Sequence, residues 1–179
     1  QKAINISPNY RIAISNYLYT LNFQDNLDEK FILKEHCKYN NEFIKKSTFQ
    51  KKIIKKKSII KVGYVSSDFR KHAVMEFLIP ILENHDNCKF EIYCFYNDSF
   101  VDNYTNIVKK NSIFINIKGK SDKDVEKIIK DKDIDILVDL AGHTKGNRLS
   151  LFSLKPCPLQ ITWIGYPSTT GLKEIDYRF

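Results

Sequence analysis

The chain has 179 residues, of which 42% are hydrophobic and 28% are charged. This composition supports a packed core and excludes wholesale disorder, and the length suits one domain or one domain with part of another. No apolar run approaches the roughly 20 residues of a membrane-spanning helix, and the four cysteines lack the spacing of a zinc site or a disulfide framework, which favours reduced thiols and a cytoplasmic protein.

The net charge of +8 comes from one stretch of the sequence. Eight lysines and no acidic residue lie between Lys45 and Lys61, and the rest of the chain holds 21 basic and 21 acidic residues. The stretch contains no arginine and one aromatic residue, Phe49, so a specific nucleic-acid groove is poorly supported. We interpret residues 47–58 as a solvated, lysine-rich linker. The alternative, nucleic-acid binding through the lysines, predicts an affinity that falls steeply with salt.

Two helices are predicted before this linker. Ser7 and Pro8 resemble an N-cap and a first helical position, and the amphipathic pattern that follows continues to about Phe23. Asp28 is the predicted cap of a second amphipathic helix. The two helices form a helical hairpin within residues 1–46. Because such a pair cannot bury its apolar faces alone, it either docks on the following domain or ends a helical repeat array.

From residue 59 onward, β-rich apolar runs alternate with helical patterns. This alternation predicts βαβ units and a mostly parallel sheet with helices on both faces. Ser121 and Asp124 resemble a capping box at the start of one of the intervening helices. Five strands are predicted, at residues 59–65, 90–96, 112–117, 134–140 and 159–164.

Ligands of parallel α/β sheets bind beyond the carboxyl ends of the strands. The segments at those ends are residues 66–72, 97–100, 141–148 and 165–171, and three of these four are rich in Gly, His, Ser and Thr. Their convergence at one edge of the sheet predicts a functional site there.

His72 follows the first strand of this sheet and precedes its first helix. Its imidazole can accept a proton near neutral pH, whereas the alternative is that it only caps or packs at the helix start, and the spacing favours neither. Asp68 and Asp139 each lie at a strand end, where they can orient a histidine or cap a helix. His36 and His85 have no partners at ligand spacing, so we expect structural or exposed roles for them and no metal site.

The two later loops combine glycines with polar side chains. In residues 141–148, Lys145 can hold an anionic group and Thr144 can donate a hydrogen bond, although an ordinary loop with solvent-facing cations is the alternative. In residues 165–171, three consecutive hydroxyl side chains can line a sugar or phosphate pocket. The alternative there is an ordinary turn with Tyr166 in the core.

The sequence resembles the O-linked N-acetylglucosamine transferase / SPINDLY family, glycosyltransferase family 41. Four long segments in the same order carry the resemblance: KVGYVSSDFRKHAVMEFLIPILENHD, FEIYCFYND, DIDILVDLAGHTKGNRLSLF and KPCPLQITWIGYPSTTGLKEIDYRF. Residues 15–42 also resemble the region that joins tetratricopeptide repeats to the catalytic part of these enzymes. The resemblance implies a GT-B glycosyltransferase, with a Rossmann-like N-terminal lobe at residues 59–179, preceded by the helical hairpin and without the C-terminal lobe.

The resemblance also implies a site. His72 aligns with a family histidine that has been regarded as a proton acceptor, which makes it the expected catalytic residue. No metal ligand is expected. The expected substrate and donor cleft comprises Asp68, His143, Thr144, Lys145, Gly165, Tyr166, Pro167, Thr169, Thr170 and Gly171.

The implied reaction is sugar transfer to Ser or Thr hydroxyls of acceptor proteins. The expected donor is a nucleotide sugar, UDP-N-acetylglucosamine in the first place and GDP-fucose as the alternative, with no cofactor. Neither nucleic acid nor a membrane is an expected partner. This fragment alone is expected to be inactive, because the family holds the donor mostly in the other lobe. A noncatalytic protein-binding module derived from such an enzyme is the rival hypothesis.

Overall fold

A computed structural model describes residues 2–7, 10–43 and 57–179 of the chain. The helices are α1 (Lys2–Ile6), α2 (Arg11–Leu21), α3 (Glu29–Phe43), α4 (Ala73–Asn84), α5 (Asn103–Asn111), α6 (Asp122–Asp131) and α7 (Leu149–Phe152). The strands are β1 (Ile60–Ser66), β2 (Phe90–Tyr96), β3 (Ile113–Asn116), β4 (Ile136–Asp139), β5 (Leu159–Thr162) and β6 (Tyr177–Arg178).

The strands form one parallel sheet in the order β3-β2-β1-β4-β5-β6. The predicted α/β fold with a parallel sheet and intervening helices is therefore confirmed. The sheet has one strand more than predicted, because β6 is only two residues long and too short to show a pattern in the sequence. The chain order reverses between β1 and β4, so the loops after these two central strands open a crevice at the carboxyl edge.

The side chains of the central strands alternate between two apolar layers. In β1 and β2, Val65 and Phe95 point to one layer, whereas Tyr64 and Cys94 point to the other. Helices α4 and α5 cover the second layer, and α2, α6 and α7 cover the first. This two-sided burial explains why the strands are near-continuous apolar runs rather than alternating ones.

The helical hairpin docks on the sheet and shares its core. Ile14, Leu18 and Leu21 of α2 are 6%, 1% and 3% exposed, and they belong to the same buried cluster as Leu137 of β4 and Phe152 of α7. Burial of three such side chains stabilises the fold by roughly 5 kcal/mol. Docking on the following domain, one of the two possibilities that the sequence left open, is therefore observed. That the hairpin ends a helical repeat array stays a prediction.

The start of the hairpin differs from the sequence prediction. Helix α2 begins at Arg11 with Tyr10 at its N-cap, and no side chain caps it. Ser7 lies after the separate short helix α1, and Pro8 lies outside the described residues. The predicted cap on the second helix is confirmed, because the Asp28 carboxylate accepts a hydrogen bond from the Lys30 backbone N–H at 3.1 Å. The predicted capping box at Ser121 and Asp124 is also present.

Most of the lysine-rich linker, residues 47–56, lies outside the described residues. Its end differs from a solvated connector, since the Lys57 ammonium pairs with Asp135 at 2.7 Å and with Asp133 at 2.8 Å. These bonds raise the pKa of Lys57. The Asp135 carboxylate also accepts the Lys61 backbone N–H at 2.9 Å, so this aspartate ties the linker end to the first strand.

Candidate active site

A cleft of about 460 Å³ opens at the carboxyl edge of the sheet. Residues from the loops after β1, β2, β3, β4 and β5 line it, as the strand order requires. Its lining in the described part of the chain is Ser67, Asp68, Arg70, His72, Asn97, Asp98, Phe100, Lys118, Leu140, Thr144, Lys145, Gly146 and Gly165.

His72 lines this cleft and also caps helix α4. Its side chain is exposed, and its Nδ1 accepts a hydrogen bond from the Val74 backbone N–H at 3.3 Å. Because Nδ1 serves as an acceptor, the neutral ring carries its proton on Nε2. The ring therefore caps the helix, which is one of the two roles that the sequence left open, and it presents an N–H group at the cleft. Proton acceptance by His72 stays a prediction.

Asp68 does not orient His72. Its carboxylate pairs with the Arg70 guanidinium at 2.9 Å, and its backbone N–H donates to the Ser66 hydroxyl at 2.9 Å. The side chain is nearly buried, with 7% of the residue exposed. Asp68 therefore holds Arg70 and the turn after β1 in place at the rim of the cleft.

Asp139 fixes the loop that follows β4. Its buried carboxylate accepts the backbone N–H groups of Ala141 and Gly142, at 3.1 and 2.9 Å, and the Thr162 hydroxyl at 2.8 Å. Burial raises the pKa of this carboxyl group. Since all three bonds go to the loop and to β5, Asp139 acts on the backbone here and not on a histidine.

The loop after β4 is also tied to the loops after β1 and β2. The Ser67 hydroxyl donates to the Lys145 carbonyl at 3.0 Å, and the Asn97 amide donates to the Gly146 carbonyl at 2.9 Å. Gly146 has a φ of +76°, and a Cβ there would lie 2.6 Å from the Ser67 hydroxyl oxygen. The Thr144 hydroxyl donates to the Ala141 carbonyl at 2.8 Å. Thr144 therefore lines the cleft, but its hydroxyl proton is already hydrogen-bonded within the loop.

His143 lies away from the cleft lining. It is 1% exposed, its Nε2 is 2.9 Å from the Thr170 carbonyl, and its Nδ1 is 3.3 Å from the Ser15 hydroxyl of α2. Burial lowers the pKa of His143 to about 4, and the neighbouring His36 ring acts in the same direction. The sequence pattern placed it beside Lys145 in the cleft, but its ring turns toward the helical hairpin.

The loop at residues 165–171 faces the cleft on one side and the helical hairpin on the other. Gly165 lines the cleft, and a Cβ at that position would lie 1.8 Å from the Leu140 carbonyl oxygen. Tyr166 is 6% exposed and points to the hairpin instead. Pro167 is exposed, and its carbonyl accepts a hydrogen bond from Arg178 at 2.5 Å.

The end of this loop turns toward β6 and the hairpin. Thr169 and Thr170 border a smaller cavity of about 110 Å³ that is separate from the cleft. The Gly171 backbone N–H donates to the Thr169 hydroxyl at 3.1 Å, and Leu172 donates to the Thr170 hydroxyl at 3.3 Å. Thr169 and Thr170 therefore stabilise the loop, and the cleft lining in the described chain includes none of the three consecutive hydroxyl residues.

The structure adds charged residues that sequence reasoning did not single out as cleft residues. Arg70 pairs with Asp68, and the Lys118 ammonium lies 3.7 Å from the Asp98 carboxylate. Lys145 is exposed and, among the described residues, has no ion-pair partner. It is thus a cation available to an anionic ligand of the cleft. Position after a strand end was the signal that would have identified Arg70 and Asp98.

Among the described residues, no group of three or more His, Cys, Asp or Glu side chains is placed to hold a metal ion. None of the helices in that part of the chain combines the length and the apolar character needed to cross a bilayer.

Comparison with known proteins identifies the family of the chain. The sequence matches glycosyl transferase family 41 over residues 17–179. It is 33% identical to the SPINDLY protein of Oryza sativa over 99% of this chain, and 35% identical over 66% of this chain to the UDP-N-acetylglucosamine–peptide N-acetylglucosaminyltransferase of Caenorhabditis elegans.

The fold has a solved counterpart. The K341M mutant of the Thermobaculum terrenum O-GlcNAc transferase superimposes with a TM-score of 0.93 at 28% identity, over 98% of this chain and 35% of that one. The chain spans 20% of the rice SPINDLY protein and 10% of the nematode enzyme.

Proposed function

Because this chain belongs to glycosyl transferase family 41, we propose that it is part of an enzyme that transfers a sugar from a nucleotide diphosphate donor to Ser or Thr hydroxyls of proteins. One observation carries the proposal: the cleft at the carboxyl edge presents the exposed His72 ring and the unpaired Lys145 ammonium together. N-acetylglucosamine is the proposed sugar, because the relatives in rice and the nematode carry it in their names.

The chemistry makes two demands on such a cleft. The acceptor hydroxyl must lose a proton, and the leaving diphosphate must have its growing negative charge stabilised. Lys145 meets the second demand as a charge that no described acidic side chain neutralises. His72 meets either demand, depending on which ring nitrogen faces the reacting atoms.

The helix cap decides between these roles for His72. While Nδ1 accepts the Val74 N–H, Nε2 is a donor, and a donor stabilises an oxygen that gains negative charge. To take a proton from the acceptor, the ring must give up the Val74 bond in either of two ways. It can turn Nδ1 toward the acceptor, or it can adopt the other tautomer, in which Nε2 is the basic nitrogen. The capped geometry therefore favours His72 as a hydrogen-bond donor over His72 as the base.

Two substitutions in the full-length enzyme separate the roles. His72→Ala removes both, and we expect it to lower kcat on the order of 100-fold or more. His72→Gln keeps an N–H donor at a similar reach but cannot accept a proton. If His72 acts as a hydrogen-bond donor, the Gln variant retains activity within about tenfold of the wild type. If His72 acts as the base, the Gln variant is as inactive as the Ala variant.

The control is His85→Ala, which removes a histidine at the far end of α4, where its Nδ1 lies 2.9 Å from the Leu82 carbonyl. It should leave the transfer rate unchanged. The assay offers UDP-N-acetylglucosamine and GDP-fucose in parallel, so that the labelled product identifies the sugar. A full-length wild-type protein that transfers neither sugar would refute the proposed activity and favour a noncatalytic protein-binding module.

A further inference from the structure

We propose that His36 of helix α3 is a positioning residue for the cleft wall, acting through Tyr166 on the loop at residues 165–171. Only the kinetic test of this inference depends on the proposed function. It would make the helical hairpin part of the catalytic apparatus, although α2 and α3 contribute no side chain to the cleft lining in the described chain.

The Tyr166 hydroxyl is the joint between the hairpin and the loop. His36 Nε2 lies 2.8 Å from it, and the Asn22 amide at the end of α2 donates to it at 2.9 Å. Tyr166 is 6% exposed and His36 is fully buried. Both hairpin helices thus hold the same oxygen, in a place where water does not substitute for a lost partner.

The hydrogen-bond pattern fixes each proton in this cluster. His36 Nδ1 lies 2.7 Å from the Ile32 carbonyl, which can only accept, so Nδ1 carries the proton and Nε2 accepts from the Tyr166 hydroxyl. The Tyr166 oxygen then accepts from Asn22. The Tyr166 hydroxyl thus has one acceptor and one donor, and the Asn22 amide that donates to it also lies 3.1 Å from the Leu18 and Tyr19 carbonyls.

The far end of the loop is held by the same hairpin. His143 donates from Nε2 to the Thr170 carbonyl and accepts at Nδ1 from Ser15 of α2. Gly171 packs against the backbone of α3, since a Cβ there would lie 2.1 Å from the His36 carbonyl oxygen. The loop is therefore fastened to the hairpin at Tyr166, Thr170 and Gly171.

A shift of Tyr166 must reach the cleft. The next residue back along the chain, Gly165, forms the cleft wall, and its packing against the Leu140 carbonyl leaves no space for a methyl group. Because Gly165 is bonded directly to Tyr166, we expect a displacement of Tyr166 to shift the cleft wall. A misplacement of about 1 Å costs on the order of 100-fold in a rate that depends on substrate alignment.

The test uses the full-length enzyme and the variants Tyr166→Phe, His36→Ala and His36→Gln. Tyr166→Phe keeps the aromatic ring and removes only the hydroxyl that bonds to His36 and Asn22. We expect it to lower kcat on the order of 10-fold or more with a small change in KM. His36→Ala should do the same, and His36→Gln should restore part of the rate, because its amide oxygen can accept from the Tyr166 hydroxyl. The matched control Tyr93→Phe removes a hydroxyl bonded to Glu91 and should leave kcat unchanged.

Hydrogen exchange of the same variants supplies a readout that does not need activity. We expect the backbone N–H groups of Gly171 and Leu172 to exchange faster in Tyr166→Phe than in the wild type. If exchange at these positions is unchanged, or if it rises while kcat stays at the wild-type value below the unfolding temperature, the positioning role is wrong. An inactive wild type would refute the proposed function, and the exchange result would still decide whether the hairpin holds the loop.

Discussion

Acid should destabilise this protein through its buried histidines, above all His143. The folded state keeps the His143 ring neutral, since burial lowers its pKa to about 4. The unfolded chain exposes the ring, and its pKa then returns to about 6.5. Between these two pKa values the ring binds a proton in the unfolded state but stays neutral in the folded state. The free energy of unfolding is therefore highest above about pH 6.5 and decreases as the pH falls toward about 4.

The size of the effect follows from the two pKa values. At about pH 5 the linkage lowers the free energy of unfolding by about 2 kcal/mol, and near pH 4 by about 3 kcal/mol. Burial also lowers the pKa of His36, which acts in the same direction. Asp139 acts in the opposite direction as the pH falls, because its folded pKa is raised, and this contribution is present both in the wild type and in a variant of His143.

The assay is urea unfolding at about pH 7 and pH 5, followed through Trp163, the only tryptophan of the chain. His143→Gln removes the titrating ring, so its loss of stability between the two pH values should be about 2 kcal/mol smaller than that of the wild type. Ile14→Val is the control: it weakens the same interface by about 1 kcal/mol at both pH values and leaves the difference intact. Equal pH dependence in His143→Gln and the wild type would refute the reasoning.

Two further predictions need only simple assays. Gly165→Ala places a methyl group 1.8 Å from the Leu140 carbonyl oxygen, and we expect it to unfold at a urea concentration clearly below that of the wild type; an unchanged midpoint would contradict the packing described for the cleft wall. A thiol reagent near pH 8 should modify Cys88, which is exposed, and spare Cys94, because burial raises the pKa of its thiol to about 12; mass spectrometry of the labelled peptides would show a conflict if Cys94 reacted before unfolding.

The sheet could be predicted from the sequence because its signals are local. Each long strand is an apolar run, and caps such as Ser121 announce the helix that follows. The two-residue strand β6 leaves no such run. The start of α2 was wrong for a related reason: Ser7 and Pro8 match a cap pattern, whereas packing of Ile14 on the sheet decides which residues are helical.

Half of the candidate site followed from the sequence, and the other half depended on side-chain direction. Position after a strand end correctly placed His72, Lys145 and Gly165 at one cleft. The family resemblance implied the same place for His143 and Tyr166, but their rings turn toward the hairpin. The alternative, an ordinary turn with Tyr166 buried, agrees with the structure. No local pattern shows which side of a loop a ring takes, because the partners here, on α2 and α3, lie more than 100 residues away along the chain.

The core that α2 shares with the sheet limits where this lobe can be cut without loss of stability. The family match begins at residue 17, in the middle of α2, while Ile14 of the same helix already belongs to the core beneath the sheet. A recombination event that cut at the edge of the recognisable family sequence would strip away part of that core. The unit that folds together therefore extends upstream of the recognisable family sequence, through α2.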